Sequence, residues 1–340
     1  MTSPPWTRGA KACAAGLAAV AAVTPLVAGR RYTERADRRD DEMFPGLGEK
    51  VEVGDLVLHA RVLGPARGDR PTVVFENGMS SPLELWDWIQ PAVAGVTRTV
   101  AYDRAGLGWS GRKRSRFSAE QAAADLEGLL EVLRCPGPYV LVGHSFGGLL
   151  IRRFAHRNPG AVAGMVLVDS AHPDQFDRSS RQRLGLGPTI SVLRQRALLM
   201  SYGLGRAKSA GETKPLAAGL PEATAPVASA RMRSAHTWRG TSDEMTAWIE
   251  DVNPQVREAG IPPGCRVAVV TAGRSIDADP VHGYLQEELA SLAPEGRHEI
   301  VADAEHMTLL TDREHGQVVA KMIEEMVLSL EDAKPRPQGG

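Results

Sequence analysis

From about residue 50 onward the sequence predicts an α/β protein with a mostly parallel central sheet, helices on both faces and a helical insertion. Three observations carry that prediction. Apolar runs of strand length alternate with longer helical patterns, as in parallel strands joined by crossover helices. The first two runs, VEV (51–53) and LVLHARVL (56–63), flank Gly54-Asp55, a two-residue hairpin signal that makes the opening pair antiparallel. The alternation then stops over 174–262 and resumes afterwards. That interruption reads as a lid over the C-terminal edge of the sheet, where open α/β sheets bind ligands.

The elements follow in order. TVVFEN (72–77) reads as a buried strand ending in Asn77-Gly78, LELWDWIQPAVA (83–94) as a Trp-rich helix, and TRTVAYD (97–103) as the next strand. Ser118 and Gln121 form a capping box that opens the helix 122–133, which Pro136-Gly137-Pro138 breaks. YVLVGHS (139–145) is a strand, GGLLIRRFAHR (147–157) a helix and GMVLVDS (164–170) a strand. The insertion is rich in Arg, Gly, Pro and Ser, with helical pieces at 191–204 and 243–252. RVAVVTAG (266–273), VHGYLQEELASL (281–292), RHEIVAD (297–303) and QVVAKMIEEMVLSL (317–330) complete the alternation. The expected division is an N-terminal segment 1–45, one core in two parts (46–173 and 263–332), the insertion 174–262, and a disordered tail 333–340.

The chain has 340 residues, 43% of them hydrophobic and 24% charged, with net charge -1, so a sizeable core can form and no nucleic-acid partner is indicated. Its three cysteines, Cys13, Cys135 and Cys265, are odd in number and lack C-x-x-C spacing, so free thiols are expected. GLGWSG (106–111) is formally G-x-G-x-x-G, but RKRSRF (112–117) intervenes before the next helix, whereas a dinucleotide fingerprint opens its helix at once. His298-Glu299 lacks the second histidine of a zinc motif. No cofactor and no metal are expected.

The first 45 residues are expected to lie outside the fold. Arg8 and Lys11 precede an Ala-rich apolar run at 12–28, and Arg30 and Arg31 follow it, a layout of an export signal or a membrane anchor. The absence of a clean small-x-small cleavage site favours a retained anchor. Seventeen residues is the short end of a spanning helix, and Pro25 lies inside the run. The excess of arginine after it favours a cytoplasmic C-terminal side, against an export reading, so sidedness stays open. Oligomeric state is not readable.

Gly143-His144-Ser145-Phe146-Gly147 is G-x-S-x-G, with an apolar strand running into it and an amphipathic helix leaving it. A serine on such a strand–turn–helix sits on strained backbone angles, so the residues two away must lack side chains. Gly148 lets the following helix pack close. The turn also aims the Phe146 amide, at the helix N-terminus, toward a developing oxyanion.

Across about residues 50–330 the chain resembles the α/β-hydrolase superfamily, on PTVVFENG (71–78), AYDRAGLGWS (101–110), VGHSFGG (142–148) and EHM (305–307). The resemblance implies a Ser–acid–His triad in that chain order and an oxyanion hole of two backbone amides. Ser145 is then the nucleophile, His306 the base, and Phe146 and Met79 the oxyanion amides. Glu305 stands where relatives usually have Gly. Two places qualify for the acid: Asp277, with Asp279 as third choice, in the loop after strand 266–273, the commoner site in the superfamily; and Asp169, at a strand end as in the haloalkane dehalogenases. Asp103-Arg104 belongs to the family scaffold. The expected reaction is hydrolysis of a carboxylic ester, lactone, thioester or amide through an acyl-enzyme. An acyltransferase, a cofactor-free haloperoxidase and a low-turnover ligand-binding relative are the alternatives. The residues Leu198, Leu199, Met200, Tyr202 and Trp238 of the insertion suggest an apolar small-molecule substrate.

Overall fold

The computed structural model describes residues 5–332, with side chains from 24 to 331 apart from residue 207. The expected tail 333–340 lies outside the described residues. Eight strands form one sheet: β1 (Glu49–Val53), β2 (Leu56–Leu63), β3 (Thr72–Glu76), β4 (Thr99–Tyr102), β5 (Tyr139–His144), β6 (Val162–Val168), β7 (Arg266–Ala272) and β8 (Arg297–Val301). Their spatial order is β1-β2-β4-β3-β5-β6-β7-β8. β2 is antiparallel to β1 and β4, and every other pairing is parallel. Gly54, at φ 61°, makes the predicted hairpin turn between β1 and β2.

The central strands read as unbroken apolar runs because both faces of the sheet are covered. Successive residues point to opposite sides. Val73, Phe75, Val140, Val142, Val166 and Val168 join Trp86, Ile89 and Ile323 in one core. Val74, Leu141, Met165, Leu167, Val267 and Val269 join Leu126, Leu129 and Ile151 in the other. Full burial of one such side chain contributes about 1.5–3 kcal/mol, which makes these two layers the main source of stability. Cys135 and Cys265 are buried free thiols.

Helix Ala119–Val132 starts where the capping box predicts, with the Ser118 side chain accepting from Gln121 N. Stretch 83–94 departs from the single helix expected: it is a 3-10 turn, Leu83–Trp86, followed by a short helix, Gln90–Ala94. Pro91 lies in the first turn of the second piece, where its missing N–H costs nothing, so the segment restarts there.

Between β6 and β7 the chain forms the helices Gln175–Arg178, Ser180–Ser201, Arg206–Ala217, Ala225–Met232, Ala235–Ala247 and Asn253–Glu258. The N-terminal segment departs from the expectation that residues 1–45 lie outside the fold. It is one helix, Pro5–Met43, whose later part docks on these insertion helices. Thr33 Oγ1 donates to Met200 O at 3.0 Å, Arg206 bonds Asp37 and Asp40, and Arg233 Nη2 lies 3.2 Å from Asp40 Oδ2. The acids Asp37 and Asp40 thus find arginine partners across the chain. No helix among the described residues is long and apolar enough to cross a membrane, so the anchor assigned to 12–28 has no support there; the side chains of 12–23 lie outside the described residues.

Candidate active site

The sheet register brings the site together. Glu76 of β3 is level with Gly143 of β5, and His144 of β5 with Val168 of β6. The residues that follow these strands, Asn77-Gly78-Met79, Ser145 and Asp169, therefore emerge side by side at the C-terminal edge, where the chain reverses its direction of travel across the sheet.

Ser145 stands on the turn between β5 and helix Phe146–Arg157 with φ 52° and ψ -122°, a conformation that L side chains rarely adopt and that costs about 1–3 kcal/mol. Neighbours hold it there: Ser145 N donates to Val168 O at 3.1 Å, and Ala171 N and Gly148 N donate to Ser145 O at 2.9 and 3.0 Å. The flanking glycines are required by contact. A Cβ on Gly147 would lie 2.4 Å from Glu76 O, and one on Gly143 would lie 2.7 Å from Gly148 Cα.

Asp169, directly after β6, also has positive φ, 42°, and is buried. Its Oδ2 accepts from His306 Nδ1 at 2.6 Å and from Ser275 Oγ at 2.8 Å. Its Oδ1 accepts from His282 Nε2 at 2.9 Å and from Ala272 N at 3.1 Å. Burial alone would favour the neutral acid, but the hydrogen bonds and positive charge of His282 and His306 outweigh it. The carboxyl is held well below the usual carboxylate range. An imidazole tied to a charged carboxylate through Nδ1 has its Nε2 left to receive a proton.

Asp277, an equal candidate by sequence, stands apart from this cluster. Its side chain is 66% exposed and pairs with Arg274 three residues earlier on the surface of helix Gly273–Ala278. Asp279 caps helix Pro280–Ala290, accepting from Val281 N, and also accepts from Ser179 Oγ at 2.6 Å. Asp277 is accounted for by its own helix, and Asp279, which also lines the Ser145 cavity, by its cap and its bond to Ser179 of the insertion. Met79 lies on the loop beyond Gly78, where an added Cβ would sit 3.3 Å from Ser145 Cβ. The Phe146 amide is the first of its helix, one of those with no partner inside it.

Three contributors were missed by sequence reasoning. His282 and Ser275 reach Asp169 from two helices after β7, and nothing in their local sequence marks them. His144, taken only as the variable residue of G-x-S-x-G, donates from Nε2 to His306 O at 3.1 Å and packs its ring 4.5 Å from the His306 ring. Burial, with the nearby His306 charge, pushes its pKa down to about 3 despite that hydrogen bond and Asp169, so it is neutral in the folded protein at ordinary pH.

Ser145, Asp169 and His306 share one cavity of about 310 Å³, lined on the insertion side by Gln175, Arg181, Gln182 and Trp248. Leu198, Leu199, Met200, Tyr202 and Trp238, from which an apolar substrate was expected, are not among its lining residues. Met200 and Tyr202 meet the N-terminal helix, Trp238 is covered by Arg196, and Leu198 is exposed. The 106–111 glycine stretch wraps Asp103: Trp109 N donates to Asp103 Oδ2 at 3.0 Å, and Ser110 Oγ donates to Asp103 O at 2.6 Å.

Residues 73–321 match the alpha/beta hydrolase family, and the chain belongs to that family. The uncharacterized protein YqjL of Bacillus subtilis is 36% identical over 103 residues, 30% of this chain and 41% of that protein. Among solved structures, an enol-lactonase from Burkholderia xenovorans LB400 superposes with a TM-score of 0.61 at 19% identity, covering 82% of this chain and 100% of that one. A thermophilic esterase from Thermogutta terrifontis gives 0.62 at 19% identity, covering 84% and 100%. Likeness at these identities is one of fold. The chain spans less than half the length of the curated relatives it matches, 41% of YqjL and 42% of a 2-(acetamidomethylene)succinate hydrolase from Mesorhizobium japonicum.

Proposed function

We propose that this protein hydrolyses a carboxylic ester or a related acyl bond, such as a lactone, through an acyl-enzyme on Ser145. The observation that carries the reading is the 2.6 Å contact between His306 Nδ1 and buried Asp169, in the cavity that Ser145 lines from its strained turn. His306 Nε2 takes the proton of Ser145 Oγ as the oxygen forms a bond to the acyl carbon, and the carbonyl electron pair moves onto oxygen. The Phe146 and Met79 amides stabilise that oxyanion. Collapse breaks the bond to the leaving alcohol, which takes the proton from His306. Water then adds by the same route, giving its proton to His306, and the acid departs as Ser145 Oγ regains a proton. The acid partner is Asp169, whose charge stabilises the imidazolium formed in each step.

The lining by Gln175, Arg181 and Gln182 favours substrates with polar groups beside the acyl carbon over long alkyl chains. A panel of p-nitrophenyl esters of increasing acyl length, together with small lactones, tests both points. Turnover should fall as the acyl chain lengthens and vanish in Ser145→Ala. Turnover in the native protein no greater than in Ser145→Ala across the whole panel contradicts the reading.

A further inference from the structure

Behind the loop 77–79 lies a buried charge cluster that the proposed reaction does not use directly. Arg104 is 2% exposed and receives two carboxylates: its Nη1 donates to Glu76 Oε1 and its Nε to Glu244 Oε1, each at 2.7 Å. Glu76 also accepts from Tyr102 OH. Burying three charged groups is costly, and the cost is offset only by well-formed pairing and further hydrogen bonds. Here the remaining donors fix the loop. Arg104 Nη1 also donates to Asn77 O, and Nη2 donates to Gly78 O at 3.1 Å.

In a trans peptide the C=O and the next N–H point in opposite directions. Anchoring Gly78 O on Arg104 therefore turns the Met79 N–H away from Arg104. Anchoring Asn77 O does the same one peptide earlier, so the loop cannot flip either unit without losing a charge-assisted bond. The same guanidinium lies 5.7 Å over the ring of Phe146, which bears the other candidate amide. Arg104 thus touches the segments that carry both amides.

Glu244 comes from helix Ala235–Ala247 of the insertion. That helix makes a second contact with the loop, where Thr241 Oγ1 and Ser80 Oγ are 2.7 Å apart. We propose that Arg104 is a positioning residue for the oxyanion amides, and that Glu244 couples the insertion to them. The inference rests on the acyl-transfer reading above.

The test compares an oxygen ester with its thionoester, in which C=S replaces C=O. Sulfur accepts hydrogen bonds weakly, so a well-formed pair of amide donors favours the oxygen ester, and a displaced pair loses that preference. Arg104→Lys keeps the charge but has one nitrogen to serve two carboxylates and two carbonyls. It should lower kcat on the oxygen ester by about 10²-fold, the order found for loss of one oxyanion donor, with KM little changed. The ester/thionoester ratio of kcat/KM should fall at least tenfold. Glu244→Gln, which removes the charge but keeps the shape, should lower both kcat and that ratio in the same direction by a smaller factor.

Cooperative thermal melting verifies folding, and if Arg104→Lys does not fold, Glu244→Gln decides alone. A folded variant that is less active with an unchanged ratio shows a merely structural role and overturns the proposal, as does unchanged activity. Absence of Ser145-dependent turnover in the native protein overturns the acyl-transfer reading and this inference with it, and is distinguishable for that reason.

Discussion

Asp169 is the residue on which the proposed chemistry turns, and its surroundings separate it from Asp277. Sequence offered both because each follows a buried strand. What distinguishes them is strand order: β6 lies between β5 and β7, so the residue after it shares a cavity with Ser145 and meets the Ala272 amide and His306, whereas Asp277 stands on the outer side of a short helix. That adjacency is a property of the assembled sheet and cannot be read from a linear string. Asp169→Asn is expected to lower kcat by about 10³–10⁴-fold with the fold intact, because the amide cannot stabilise the imidazolium and favours the wrong tautomer. Asp277→Asn should stay within about twofold of the native protein, as expected for a solvent-exposed pair. Steady-state rates on one ester decide between them. The depressed carboxyl of Asp169 also has a stability consequence: its contribution is present above about pH 4, the unfolded value, and is lost as pH falls toward the lower folded one.

At the scale of elements, the strand–turn–helix around Ser145 was the most legible feature of the chain. The glycines at fixed offsets, the apolar strand and the amphipathic helix all state the same geometry, and the backbone of Ser145 adopts the strained angles that geometry requires. Gly147→Ala tests it through stability, read in the absence of substrate. Its methyl would meet the backbone oxygens of Glu76 and Asn77 at 2.4 and 2.6 Å, and neither atom belongs to a side chain that could swing aside. A destabilisation of about 2 kcal/mol or more is expected in urea unfolding, within the range for overpacking a closed site. The helical stretch 83–94 was less legible because its apolar residues bury almost continuously, without the one-sided periodicity that marks a surface helix. The docking of the N-terminal helix was illegible for a related reason: Asp37 and Asp40 acquire their arginine partners only once the insertion folds against them.

For the molecule as a whole, buried histidines and carboxyls shape the response to acid. Burial is the largest influence lowering His144 to about 3 and His172 and His236 to about 4. Because their folded values lie below the unfolded value of about 6.5, the unfolded chain binds protons first as pH falls. The stability these groups permit is complete above about pH 6.5 and declines below it, by up to about 1.4 kcal/mol per pH unit for each histidine. His59, raised by its bond and charge contact with Asp103 against the larger effect of burial, has the opposite sign: its contribution is present below pH 6.5 and lost as pH rises through its folded value. Glu84, pushed up to about 7 chiefly by burial, shares the sign of His59 in this range, so the test is a difference: between pH 7 and pH 4.5 the urea midpoint of His144→Phe should fall less, or rise more, than that of the native protein.

The central claim is that the Ser145 hydroxyl is made nucleophilic by His306 held on Asp169, and covalent labelling tests it most directly. Folded native protein is treated with a fluorophosphonate and the adduct located by peptide mass spectrometry, alongside His306→Ala and Asp169→Asn. The account predicts one phosphonyl group on Ser145 in the native protein and labelling at least a hundredfold slower in both variants. Native protein that stays unlabelled, that carries the adduct elsewhere, or whose labelling rate is indifferent to His306 contradicts it.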